Sequence, residues 1–123
     1  MTDDLEEGAP SLQRAQREVD ESIVALGGYW APLANLARLF EECGELARAL
    51  NQTYGPKLIK SGESPQAVAE ELGDVLYVLL VLANSLHLDA EAALSGALLK
   101  ARRRAADAEG RQDTEQGGGN APA

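Results

Sequence analysis

A chain of 123 residues is long enough for one domain with a packed core and for little more. Its formal charge of −9 argues against a nucleic-acid-binding surface and against attraction to an anionic membrane face. The single Cys43 excludes an internal disulfide framework, so a reducing cytoplasm is the expected setting.

In chain order, Met1 to Pro10 carries Asp3, Asp4, Glu6 and Glu7 among Gly and Pro and reads as a flexible acidic arm, with no apolar signal core after it. Ser11 is a fair N-cap for a first helix reaching about Leu26, with Leu12, Ala15, Val19, Ile23 and Leu26 as its apolar stripe. Gly27 and Gly28 stop it. Pro32 suits the first turn of a second helix that runs to about Asn51. Its inward stripe is expected to be Leu33, Leu36, Phe40, Cys43, Ala47 and Leu50, with the carboxylates beside the core.

The stretch from Asn51 to Ser64, with Gly55-Pro56, Ser61-Gly62, Lys57 and Lys60, reads as a loop longer than most helix connections, which favours a functional role. Ser64-Pro65 opens a third helix ending near Leu86. Between Val75 and Ala83 that helix is apolar on nearly every face, a run too short to span a bilayer. So apolar a helix needs cover all round, and part of it is expected from a second subunit. Asp89 caps a fourth helix that continues through Lys100 and Arg102-Arg103-Arg104 to about Glu109; residues 110–123 read as a disordered tail. No Rossmann glycines, P-loop, nucleophile elbow or zinc spacing occurs.

Two acidic pairs stand out. Glu42 and Glu45 are three residues apart, as are Glu71 and Asp74, so each pair lies along one strip of its helix. Like charges at that spacing weaken a helix by a few tenths of a kcal/mol, about 0.2–0.5. One such pair is ordinarily a solvated face. Two pairs, each beside an apolar stripe, make sense around a cation, and four carboxylates without a nearby His or Cys set suggest Mg²⁺ or Mn²⁺. Gly44 and Gly73 fall inside the two motifs, where a mid-helix glycine costs about 1 kcal/mol against alanine. They are expected to let the helices approach closely.

Other residues have plainer readings. Cys43 fits a small core position, and His87 a surface or capping role. Lys100 and the following arginines suit either the helix C-terminus or phosphate oxygens. Trp30 is read as a buried anchor ahead of a stacking surface. Asn35 and Asn84 suit either local backbone groups or a substrate.

Glu41-Glu42-x-x-Glu45, a gap of 25 residues and Glu71-x-x-Asp74 resemble the EExxE…ExxD signature of the MazG-like all-α nucleoside triphosphate pyrophosphohydrolases. The segments Gly28–Leu39, Glu70–Leu80 and Lys100–Arg104 look like the short single-domain YpjD-type branch, and the resemblance covers about residues 11–109. It implies an all-α bundle of four to five helices, completed by assembly as a homodimer or homotetramer. It implies Mg²⁺ held by Glu42, Glu45, Glu71 and Asp74, with Mn²⁺ as a substitute, and Glu41 orienting or deprotonating a water. The implied reaction cleaves a (d)NTP, including noncanonical ones, between the α and β phosphates to give NMP and pyrophosphate. Lys57, Lys100, Arg103 and Arg104 are then candidates for phosphate, and Trp30, Asn35 and Asn84 for sugar or base. Alternatives are a phosphoribosyl-ATP pyrophosphatase activity and a non-catalytic helical oligomerisation module. A ferritin-like di-iron protein wants Glu-x-x-His pairs, and the only histidine, His87, is remote from both motifs.

Overall fold

The computed structural model describes residues 11–55 and 65–117, all of its regular structure helical. The acidic arm, Lys57 and Lys60 of the loop, the Ser64 cap and residues 118–123 lie outside the described residues. Four helices follow one another: α1 (Leu12–Ala25), α2 (Pro32–Tyr54), α3 (Pro65–Ser85) and α4 (Ala90–Gly117).

Helix α1 begins where the sequence predicts. The Ser11 hydroxyl accepts from the Arg14 backbone N–H at 3.1 Å, satisfying one of the open donors of the first turn. At its other end Gly28 N–H donates to Ile23 O at 2.9 Å and Gly27 N–H to Val24 O at 3.2 Å, closing a Schellman motif. Both glycines hold positive φ, 111° and 106°, which reverses the chain into Tyr29.

Helix α3 is the element on which α1 and α2 pack. Its valines Val75, Val78 and Val81 are buried, and Val81 closes a small core with Val19 and Ile23 of α1, flanked by Tyr29, Tyr77 and Leu80. Each of these buried aliphatic side chains contributes about 1.5–3 kcal/mol by leaving water. The α1–α3 contact is otherwise polar. Tyr77 Oη and Ser22 Oγ share a hydrogen bond of 2.9 Å. Asn84 Nδ2 donates to Gln16 O at 2.9 Å and to Tyr29 Oη at 3.1 Å, while Tyr29 Oη donates to Asp20 Oδ1 at 2.6 Å. Gln16 Nε2 donates to Asn84 Oδ1 (3.0 Å) and Leu88 O (2.9 Å), and Gln16 Oε1 accepts from Ala90 N–H (3.0 Å).

Three expectations need correction. Helix α2 does not turn Leu33, Phe40, Cys43, Ala47 and Leu50 inward: all five are exposed, Leu33 at 80% and Phe40 at 68%. Its covered strip is Asn35, Leu39, Glu42, Leu46 and Ala49, a different edge of the same cylinder. The helix is apolar on two sides, and periodicity could not tell which side this chain covers itself. Second, Trp30 is 62% exposed; the anchor at that helix entrance is its half-buried neighbour Tyr29, held by hydrogen bonds. Third, α4 continues through Gly117 rather than stopping near Glu109, with Thr114 Oγ1 donating back to Arg111 O at 2.8 Å. Gly110 alone costs about 1 kcal/mol, too little to end a long helix that Ala, Arg and Gln residues favour.

His87 takes the capping role. It sits at φ 55° after α3, with His87 N–H donating to Asn84 O (3.1 Å) and Leu88 N–H to Ala83 O (2.9 Å), a second Schellman motif with a non-glycine residue at its left-handed position. Replacing His87 by Gly removes a steric cost of about 1 kcal/mol, so His87→Gly should raise the chemical-denaturation midpoint. Tyr29 gives a pH-dependent expectation. Burial raises its pKa above the ordinary tyrosine value, and the Asp20 carboxylate adds to this while Asn84 opposes it. A raised phenol stabilises the fold at every pH below the unfolded tyrosine pKa, and loses that contribution as pH climbs through the folded value. Tyr29→Phe should therefore cost about 1–2 kcal/mol near neutrality, with the gap from wild type closing in strongly alkaline urea melts.

Candidate active site

The seam between α2 and α3 runs antiparallel. Asn35, near the start of α2, shares a cavity with Val81, near the end of α3, while Glu42 in mid-α2 meets Glu71 and Asp74 in the first half of α3. Along α3 the residues Glu71, Asp74, Val78 and Val81 recur at helical spacing, so the two acids extend the buried valine strip rather than stand apart from it. On α2, Glu42 lies between Leu39 and Leu46 of the covered strip. Helical spacing alone predicts these carboxylates beside the core. Glu42 lies on the packing seam itself.

One carboxylate oxygen from each of Glu42, Glu71 and Asp74 lies within 4.8 Å of the others. Glu42 and Glu71 are half-buried and Asp74 is exposed, so the cluster opens to solvent on one side. Desolvation pushes the Glu71 carboxyl above its ordinary range, and the like charges of Asp74, Glu45, Glu42 and Glu70 push it further. Three oxygen-only donors at this spacing fit a hard divalent cation, and among the described residues no other such group of His, Cys, Asp or Glu occurs.

Glu45 stands near enough to raise Glu71 but outside that group; its carboxylate is 3.9 Å from the Arg48 guanidinium in an exposed pair. Glu41 is exposed on α2, beside the cluster in sequence. A Cβ built on Gly44 or Gly73 would meet nothing within 4 Å, so neither glycine serves a close approach between helices of this chain.

Near the N-terminal end of α2 the seam holds a second feature. Asn35 is buried at 1% exposure, and its Nδ2 donates to Trp30 O at 3.1 Å. With Trp30, Arg38, Ile23 and Val81 it lines a cavity of about 110 Å³. The Arg38 guanidinium lies 5.8 Å from the Trp30 ring centroid, within cation–π range. Sequence reading missed Arg38, although its spacing from Asn35 and Glu42 puts it on the same strip. A larger depression of about 610 Å³, lined by Gln13, Arg17, Asn84 and Asp89 among others, contains none of the clustered carboxylates. Asn84 belongs to this side, its amide spent on Gln16 and Tyr29, which makes it a helix-joining residue. Lys100, Arg103 and Arg104 share one strip of α4 and are exposed. Among the described residues no helix is long and apolar enough to cross a membrane.

Comparison with known proteins bears on the fold and the family. The profile of the MazG nucleotide pyrophosphohydrolase domain matches residues 31–108, which hold both acidic motifs. The YpjD protein of Bacillus subtilis is 49% identical over 84 residues, covering 68% of this chain and 76% of YpjD. The crystal structure of Bacillus subtilis YpjD superposes with a TM-score of 0.70 at 45% identity, covering 76% of this chain and 96% of that one. The crystal structure of a Bacillus-conserved MazG protein, a nucleotide pyrophosphohydrolase, superposes with a TM-score of 0.66 at 42% identity, over 76% and 90% of the two chains. An all-helical fold, paired acidic motifs meeting across one helix seam and these likenesses lead to one conclusion: the chain belongs to the MazG nucleotide pyrophosphohydrolase family.

Proposed function

We propose that this protein is a Mg²⁺-dependent pyrophosphohydrolase of nucleoside triphosphates, ribo or deoxy, with noncanonical nucleotides among its substrates. The observation that carries the reading is the convergence of Glu42, Glu71 and Asp74 from two helices in a chain of this family. These three hold the cation in this proposal, and Glu45, on the same strip as Glu42, completes the ligand set. When bound, Mg²⁺ or Mn²⁺ would neutralise charge on the phosphate oxygens. Glu41 orients a water and takes its proton. The water oxygen forms a new P–O bond, the α–β anhydride bond breaks, and the products are NMP and pyrophosphate. Lys57, Lys100, Arg103 and Arg104 take up charge on the departing pyrophosphate. Trp30 offers the base an exposed ring face, and Asn35 fixes the backbone beneath it. Nucleotide-pool housecleaning in the cytoplasm is the setting we infer.

We also propose a homodimer or homotetramer. The support is apolar: Leu33 and Phe40 on α2 and Leu72, Leu76 and Leu79 on α3 are exposed in the single chain. Phe40→Asp should lower the oligomeric state in sedimentation experiments and leave the helical circular-dichroism signal largely intact.

The main test is pyrophosphate release from canonical, deoxy and modified triphosphates with Mg²⁺, Mn²⁺ or EDTA. Turnover should disappear in EDTA and fall by about 100-fold or more in Glu42→Gln and Asp74→Asn. Silence across the panel from folded protein would favour a phosphoribosyl-type substrate or a non-catalytic helical module. Glu71→Gln supplies a readout independent of turnover. Removing a charge whose ionisation the fold disfavours should raise the melting temperature without metal, and should cancel the rise that Mg²⁺ gives the wild type.

A further inference from the structure

Arg38 has no place in the site as read from the sequence, yet its position is specific. It follows Asn35 by three residues and precedes Glu42 by four, so it lies one turn, about 6 Å along the axis, from the clustered carboxylates. It is half-buried and lines the cavity beneath Trp30. A guanidinium carries five N–H donors, which ordinarily take a carboxylate when one is at hand. Glu41 and Glu42 are both at helical-neighbour spacing, but among the described residues no carboxylate is in ion-pair contact with Arg38. The Glu42 carboxylate lies instead within 4.8 Å of those of Glu71 and Asp74. Its nearest partner of opposite character is the Trp30 ring, whose centroid lies 5.8 Å from the guanidinium carbon and which accepts none of its in-plane hydrogen bonds. The side chain thus lies with its donors unspent, between an exposed aromatic ring and a set of acids suited to a cation.

We propose that Arg38 binds a non-bridging phosphate oxygen of the nucleotide, at the point where the chain of phosphates leaves the carboxylate cluster toward the Trp30 ring. The inference rests on the pyrophosphohydrolase reading and adds a substrate contact to it. A planar fork suits a phosphate with two free oxygens, and a positive charge one turn from three carboxylates offsets their repulsion of an anionic substrate. The cavity itself, at about 110 Å³, is smaller than a site for a whole nucleotide, so the ligand lies mostly outside it, across Arg38 and the indole.

The experiment measures kcat and KM of the full chain for the best-cleaved triphosphate of the panel, in wild type, Arg38→Ala and Arg38→Lys. Arg38→Ala should raise KM by about tenfold or more, the worth of one charge-assisted hydrogen bond, and Arg38→Lys should recover part of that by keeping charge without the fork. Titration of intrinsic fluorescence gives a second readout, because Trp30 is the sole tryptophan. The nucleoside monophosphate should bind Arg38→Ala more weakly in parallel with the KM change. The Mg²⁺-linked rise in melting temperature should be unchanged in both variants. A KM within twofold of wild type overturns the proposal. So does loss of the Mg²⁺-linked rise, which would place Arg38 in support of the carboxylates, or failure of both variants to fold, which would make it structural. A wild type that releases no pyrophosphate from any triphosphate fails at the earlier step and is distinguished by that.

Discussion

Like charge held on a packing seam is the constraint around which this chain is arranged. Glu42, Glu71 and Asp74 sit where α2 and α3 meet, at positions that hydrophobic residues of the same strips would fill with greater stability. The valines of α3 and Leu39, Leu46 and Ala49 of α2 have to hold the helices together against that repulsion. The cluster is therefore tolerable only because apolar contact continues on either side of it along the seam. A cation at the centre converts the same geometry from a source of strain into a cross-link.

How much of this was legible from residues alone depended on which physical signal was local. Helix boundaries followed from local signals: Ser11, the Gly27-Gly28 pair and Pro32 act within one turn of themselves, and α1 and α2 begin and end close to where they indicate. The acidic pairs were also legible, since spacing on a helix fixes which carboxylates share a strip. The direction in which α2 faces was not. Phe40 outweighs Leu39 and Ala49 in apolar area, yet Phe40 is exposed while Leu39 and Ala49 lie on the covered strip, and of two leucines Leu33 is out and Leu39 is covered. Side-chain size alone does not reveal which of two apolar faces a chain covers for itself.

Tyr29 and Trp30 show the same limit at the scale of adjacent residues. Both are aromatic at a helix entrance, and either could have been the anchor. Tyr29 turns inward because its hydroxyl finds Asp20 and Asn84, partners contributed by α1 and α3 that only the fold brings together. Trp30 remains outside, with the Arg38 guanidinium across its ring. Arg38 has no signature in the sequence, because an arginine in a charged helix looks paired until the fold shows it in no ion pair and beside the Trp30 ring.

Gln16 carries a consequence of another kind. Its amide nitrogen faces two acceptors, Asn84 Oδ1 and the Leu88 carbonyl, while its amide oxygen faces one donor, the Ala90 N–H. Donors and acceptors around that side chain are matched one for one, and the match fixes which way round the amide lies. Glutamate has the same shape and reach, yet it would set an oxygen against two oxygens. The position thus reads hydrogen-bond polarity rather than size, and the nearest isostere is among its worst substitutes. In a small domain whose first helix is joined to the rest largely by polar contacts, such a rule protects the alignment of α1 against drift more strictly than any aliphatic contact of equal area.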